Sequence, residues 1–366
     1  MTRTTSRTLL AAALAVLALL LPACSAPAPE QGSASDDVIG LLLPESKASR
    51  YESQDRPSFE ETVARRCPQC EVLYANADQD AARQEQQAES MLTRGAGVLV
   101  IDAVDAVAAV SIVERAHARG VPVIAYDRFI SSPDLDYFVG ADGQRIGRLQ
   151  GEALVTALAR ERTGPSDPPD GILVVNGSTT DPNAAAYKQG LADALEGAPV
   201  EVLASYDTPD WSPDKAQAWV SDQLTKFGSR VKAVYAANDG TAGGAISAMR
   251  AAGFDPVPPV TGQDAELAAI QRIITGDQLM TVYKAVSEQG RTAAELAVRV
   301  LQGETPVMSS RVQGVPALLL APTAVDIHNV RRVIVDGGVY TTEEICVEPY
   351  TAACGAAGVT TSGASG

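Results

Sequence analysis

The chain has 366 residues, enough for about two domains of ordinary size. At 46% hydrophobic and 20% charged residues its composition is that of a globular protein. A net charge of −16 argues against a nucleic-acid partner, whose phosphates require basic patches.

The N-terminus carries Arg3 and Arg7, then the apolar run "LLAAALAVLALLL" over residues 9–21. That run has the length of an export-signal core and is short for a bilayer span. "LPACS" follows, with Ala23 before Cys24, and resembles the bacterial lipobox, in which the cysteine becomes the lipidated first residue. The expectation is a signal over 1–23, lipidation at Cys24 and a flexible tether over 24–36, so that the membrane is met through a lipid anchor. A plain signal with an incidental cysteine is the alternative. Loss of Arg3 and Arg7 would take the charge from −16 to −18. Four cysteines then remain, and an even number in an exported chain favours disulfides. Two local bridges are expected, Cys67 with Cys70 and Cys346 with Cys354. "CPQC" could be a redox or half-zinc motif, but it has no histidine nearby and no second CxxC, so no metal is expected.

From Asp37 onward strand-like and helix-like segments alternate. "VIGLLLP" (38–44), "EVLYANA" (71–77), "GVLVIDA" (97–103) and "VPVIAYD" (121–127) form a first series. "GILVVNG" (171–177), "EVLASYD" (201–207), "VKAVYAAND" (231–239) and "QLMTVYK" (278–284) form a second. Near-continuous apolar strands alternating with helical spacing predict an α/β fold of parallel sheets covered by helices on both faces. The strand count fits a (β/α)8 barrel or two doubly wound domains. "RTGPSDPPDG" (162–171) is a turn-rich loop.

The ends of these strands are polar. They bear Asp127-Arg128, Asn176, Asp207, Asn238-Asp239, Asp264 and Lys284. Asn and Asp there serve equally well as caps of the following helix, and for Asp207 that reading is preferred. Capping does not explain Arg128 or Lys284, because a cation at a helix start opposes the dipole. In open α/β sheets ligands sit beyond the carboxyl ends of the strands. Acids, amides and two cations, with Tyr51, Trp211 and Phe129 nearby, suit a polyhydroxylated ligand. Its hydroxyls donate to carboxylates and accept from Arg, Lys and Asn, and its apolar face stacks on a ring.

"VIAYDR", "NGSTTDPNAA", "ANDGTAGGAI", "GQDAELAAIQRI" and "MTVYK" together resemble the periplasmic sugar-binding proteins of ABC transporters, most of all the xylose-binding members. The likeness runs from Asp37 to Gly338. It implies a type I periplasmic-binding fold, two doubly wound parallel-sheet lobes joined by a three-segment hinge. The lobes would be 37–140 with 285–322 and 141–284 with 323–345, followed by a tail over 346–366. It also implies sugar contacts from Arg50, Tyr51, Arg128, Asn183, Trp211, Asn238, Asp264 and Lys284, with Asp127 and Asp239 beside them. Tyr51 would be a smaller platform than the family's tryptophan. The expected function is capture of a monosaccharide, D-xylose, by hinge closure and delivery to an ABC permease by a monomer that needs no cofactor. Another monosaccharide, or presentation of sugar to a sensor receptor, is the alternative.

Catalysis finds little support. Gly240-x-x-Gly243-Gly244 is not a dinucleotide fingerprint, and there is no Walker A motif and no GxSxG elbow. Of the two histidines, His117 lies on a predicted helix and His328 near the C-terminus. A sugar-responsive repressor would need a helix-turn-helix where the signal stands.

Overall fold

The computed structural model describes residues 37–162, 164 and 168–359. The expected export signal, Cys24 and the tether lie outside the described residues. The first five strands are β1 (Val38–Leu43), β2 (Glu71–Asn76), β3 (Val98–Ile101), β4 (Val123–Tyr126) and β5 (Tyr137–Ala141). They are joined late in the chain by β10 (Ser310–Val312) and β11 (Val315–Leu320). The seven strands run in the order β10-β11-β5-β4-β3-β1-β2, parallel except for the β10–β11 hairpin.

Both faces of this sheet are covered. Val38 and Leu42 turn to one core with Leu99, Ile101 and Ile112, whereas Ile39, Leu41 and Leu43 turn to the other with Phe59, Val100 and Ala294. Alternation within a strand buried on both sides is why β1 reads as a continuous apolar run. Each of these Leu and Ile side chains, all but removed from water, contributes roughly 1.5–3 kcal/mol.

The second sheet holds β6 (Asp170–Asn176), β7 (Val200–Asp207) and β8 (Val231–Ala236), in the order β7-β6-β8 and parallel. Val260 pairs with Val234, and the segment it opens bonds to Leu279 and Val282, which leads to the antiparallel pair β9 (Thr281–Tyr283) and β12 (Thr323–Val325). The chain passes between the two lobes three times: after β5, after β9 and between β11 and β12.

Among the described residues nine longer helices surround the sheets, and five of them begin at a short polar side chain that caps the first turn. They are α1 (Arg56–Arg66), α2 (Ala81–Thr93), α3 (Val110–His117), α4 (Gly143–Glu161), α5 (Pro182–Leu195), α6 (Pro213–Phe227), α7 (Asp239–Ala251), α8 (Leu267–Thr275) and α9 (Val286–Leu301). Asp80, Asp142, Asp181, Ser212 and Asn238 each accept a backbone N–H of the first turn. No helix among the described residues is long and apolar enough to cross a membrane. Cys67 and Cys70, and Cys346 and Cys354, bring their sulfurs to bonding distance. As far as it is described, the segment after residue 345 packs on the second lobe, with Cys354 and Val359 buried among Ile270, Ile273, Ile334 and Ile345.

Candidate ligand-binding site

In each sheet the strand order reverses beside a central strand, at β1 in the first and β6 in the second. The loops beyond these switch points face one another across a cavity of about 280 Å³. Of that space, which includes the open mouth of the cleft, only about 20 Å³ admits a water-sized molecule, because the polar side chains of the two walls fill the cleft by pairing across it. Its wall is Glu45, Ala48, Arg50, Tyr51, Asp127 and Arg128 from the first lobe, with Asp181, Tyr187, Trp211, Asn238, Gln263, Asp264 and Lys284 opposite.

Asp127 and Arg128 follow β4 directly. Asp127 takes a left-handed backbone (φ 58°) while its N–H still donates to Val139 O at 2.8 Å. This places the carboxylate in the cavity, where it accepts from Lys284 Nζ at 3.0 and 3.3 Å and from Arg50 Nη1 at 3.3 Å. Burial acts to raise its pKa, but the Lys284 ammonium and the Arg50 guanidinium outweigh burial and hold it well below the usual carboxylate range. Arg50 is oriented from behind by Asp55, with bonds of 2.9 and 2.7 Å from Nε and Nη2. Tyr126 also donates to Asp55. In front, Arg50 Nη1 reaches Asp264 Oδ1 at 3.3 Å, and Lys284 Nζ lies 3.2 Å from the same oxygen.

Arg128 crosses the cleft. Its Nη1 donates to Ala103 O at 2.8 Å and its Nη2 to the Tyr51 hydroxyl at 3.4 Å. Its Nε stands 2.9 Å from Asp181 and 3.3 Å from Asp102, close enough for ion pairing but off the hydrogen-bond direction. Both acids are buried, and burial raises their pKa values although Arg128 opposes it. Asp181 also accepts from Trp211 Nε1 at 3.2 Å.

Nine non-glycine residues have positive φ among those described. Asp127, Trp211 and Asp264 line the cavity, and Asp210, Ala265 and Ala285 are their neighbours or the neighbour of Lys284. Each such residue costs of order 1–3 kcal/mol, and their concentration at one cleft marks it as the site the fold sustains.

Eight of the ten sequence-predicted contacts line this cavity: Arg50, Tyr51, Asp127, Arg128, Trp211, Asn238, Asp264 and Lys284. Asn183 is outside its wall and bridges the lobes instead, donating from Nδ2 to Asp127 O at 3.1 Å. Asp239 corrects the expectation. Asn238 takes the cap of α7, accepting from Thr241 N at 2.9 Å, and still lines the cavity, leaving its amide NH2 as the group it can offer a ligand. Asp239, one residue on, turns into the second lobe. There it accepts from Gln278 Nε2 at 2.8 Å and from Thr281 Oγ1 and Glu266 N at 2.9 Å each. Burial pushes its pKa up to about 7 and that of Glu266 up to about 8. Sequence reasoning missed Glu45, Ala48, Asp181, Tyr187 and Gln263. Glu45 stands just beyond the end of β1, where the strand-end rule finds it. Asp181 follows no strand directly and caps α5 ahead of Pro182, and Tyr187 has no local signal. Among the described residues no group of His, Cys, Asp and Glu is arranged to hold a metal ion.

The family model described as "periplasmic binding protein domain" matches residues 39–305. The D-xylose-binding periplasmic protein of Haemophilus influenzae is 33% identical over 84% of this chain and 91% of its own length. The protein of the same name from Escherichia coli is 31% identical over 84% of this chain and 92% of its own. Among solved structures, an ABC transporter solute-binding protein from Clostridium phytofermentans with bound β-D-glucose superposes with a TM-score of 0.76 at 26% identity. It covers 84% of this chain and 99% of that one.

Proposed function

The chain belongs to the periplasmic binding protein domain family, and on that premise we propose that it captures a monosaccharide, D-xylose, outside the cytoplasm and delivers it to an ABC permease. The observation that carries this reading is the cavity between strand ends of two lobes, walled by three cations, four acids and two amides. Sugar hydroxyls donate to Asp127 and Asp264 and accept from Arg50, Arg128, Lys284 and the Asn238 amide, while Tyr51 and Trp211 offer ring faces. In the closed form these groups already pair across the cleft. A sugar that replaces those pairs with charge-assisted bonds of its own stabilises closure, which is population shift. Catalysis has no part in this reading.

D-glucose is the second ligand, favoured by the glucose-bound structure that this fold superposes on. Titration calorimetry of residues 25–366 with D-xylose and D-glucose decides. Tight binding of xylose, lost in Arg128→Ala and Asp264→Ala, supports the proposal. Preference for glucose overturns the xylose assignment, and no heat with either sugar or with galactose, ribose or arabinose overturns the monosaccharide reading. A lipid on Cys24 would hold a monomeric binding domain beside the permease. Cys24→Ser should then move the protein from the membrane fraction to the medium.

A further inference from the structure

Gly177 follows β6 and lies against the ring of Trp211. A Cβ built on Gly177 would stand 1.9, 2.1 and 2.5 Å from Cη2, Cζ2 and Cζ3 of Trp211. The backbone does not ask for glycine here, since Gly177 is not among the residues with positive φ. Its bare Cα therefore serves the ring and not a turn.

The ring is hemmed in elsewhere. Its Nε1 is tied to Asp181 at 3.2 Å. Tyr187 meets it edge-on, with ring centroids 6.3 Å apart. The backbone that carries it is held in an unusual shape, with φ of 57° at Asp210 and 53° at Trp211. The unfilled side of the ring is the cavity that Trp211 lines.

We propose that Gly177 is a specificity-determining residue: by seating the outer ring of Trp211 against the backbone, it sets the depth of the cavity and so the size of sugar admitted. This rests on the monosaccharide reading above. A methyl group at position 177 drives the indole toward the cavity. A hexose, with one hydroxymethyl group more than a pentose, meets the displaced ring first.

The test uses residues 25–366 carrying Gly177→Ala, Trp211→Phe or both, titrated with D-xylose and D-glucose. Indole emission is read in a Trp219→Phe background, where Trp211 is the sole tryptophan. Overpacking of this degree should weaken glucose binding about tenfold more than xylose binding and shift the Trp211 emission. If the protein holds only one of the two sugars, its affinity should fall by about tenfold in Gly177→Ala. Phenylalanine lacks the ring atoms that meet the new methyl, so in Trp211→Phe the same substitution should change affinity by less than about twofold. Equal losses for two bound sugars, no loss, or a loss that persists in Trp211→Phe would overturn the proposal while leaving the monosaccharide reading intact. Wild-type protein that binds no monosaccharide overturns that reading, and this one with it. If Gly177→Ala does not fold, recovery of a folded, sugar-binding double variant supports the proposal, and a double variant that stays unfolded overturns it.

Discussion

Asp127→Asn isolates the charge at the centre of the site. Asparagine has nearly the same shape and tolerates the left-handed φ of 58° found there, so the backbone after β4 should survive. What is lost is the counter-charge to Lys284 Nζ at 3.0 Å and Arg50 Nη1 at 3.3 Å. Removing one partner of a buried ion pair costs about 3–5 kcal/mol. Asp264 still lies 3.2 Å from Lys284 and 3.3 Å from Arg50, so the low end applies, about 3 kcal/mol. At roughly 1.5 °C per kcal/mol for a chain of this size this lowers Tm by about 4–5 °C. The folded-state pKa of Asp127 is depressed, so its contribution is present above the unfolded value near 3.8 and is lost as pH falls toward the folded one. The gap between wild type and Asp127→Asn, followed by thermal unfolding from pH 8 to pH 3, should therefore hold steady down to about pH 4 and narrow below it. A gap under 2 °C at pH 7, or one that widens on acidification, would refute the charge balance drawn here.

The buried acids of the second lobe should act in the opposite sense. Burial raises the pKa of Glu266 from 4.5 to about 8, so its contribution is full below about pH 4.5 and is lost as pH rises toward 8. Glu266→Gln should be more stable than wild type at pH 8 and no more stable at pH 4, as thermal melts at the two pH values would show. Asp181→Asn keeps a carbonyl oxygen for the cap of α5. It removes the charge beside Arg128 and cannot accept equally from Trp211, so calorimetry should give a sugar Kd raised about tenfold or more. If Cys346 and Cys354 form a disulfide, opening this eight-residue separation should cost about 2–3 kcal/mol. A lower Tm in a thiol reductant, smaller in the Cys346→Ser/Cys354→Ser variant, where only Cys67 and Cys70 can still respond, is the expected result.

Much of this molecule is local, and what is local could be read from the chain. The apolar runs at 38–44, 97–103 and 121–127 become β1, β3 and β4 because burial on both faces asks for continuous β-branched and aliphatic residues, and 71–77 becomes the half-buried edge strand β2. In a parallel sheet every strand ends on the same edge. Asp127 and Arg128 in the first sheet and Asn238 in the second could thus each be placed on a strand-end edge, while Lys284 follows β9 of the antiparallel pair and joins them only in the tertiary structure. Arg128 and Lys284 stood out because cations do not cap helix starts. The strands β5 and β10 to β12 were not foreseen. "YFVGA" and "VPALLL" bury themselves by pairing with each other, from positions far apart in sequence.

The face each side chain shows was decided only by the tertiary structure. Asn238 and Asp239 are adjacent acceptors with the same local chances. Asp239 turns away because Gln278, Thr281 and the Glu266 backbone bring three donors to it from another part of the chain. Asp181 caps α5 and is also part of the wall because Arg128 reaches it from the opposite lobe. Strand and cap preferences are settled within a few residues. The direction of a buried carboxylate is settled by whichever distant donors replace the water it has lost.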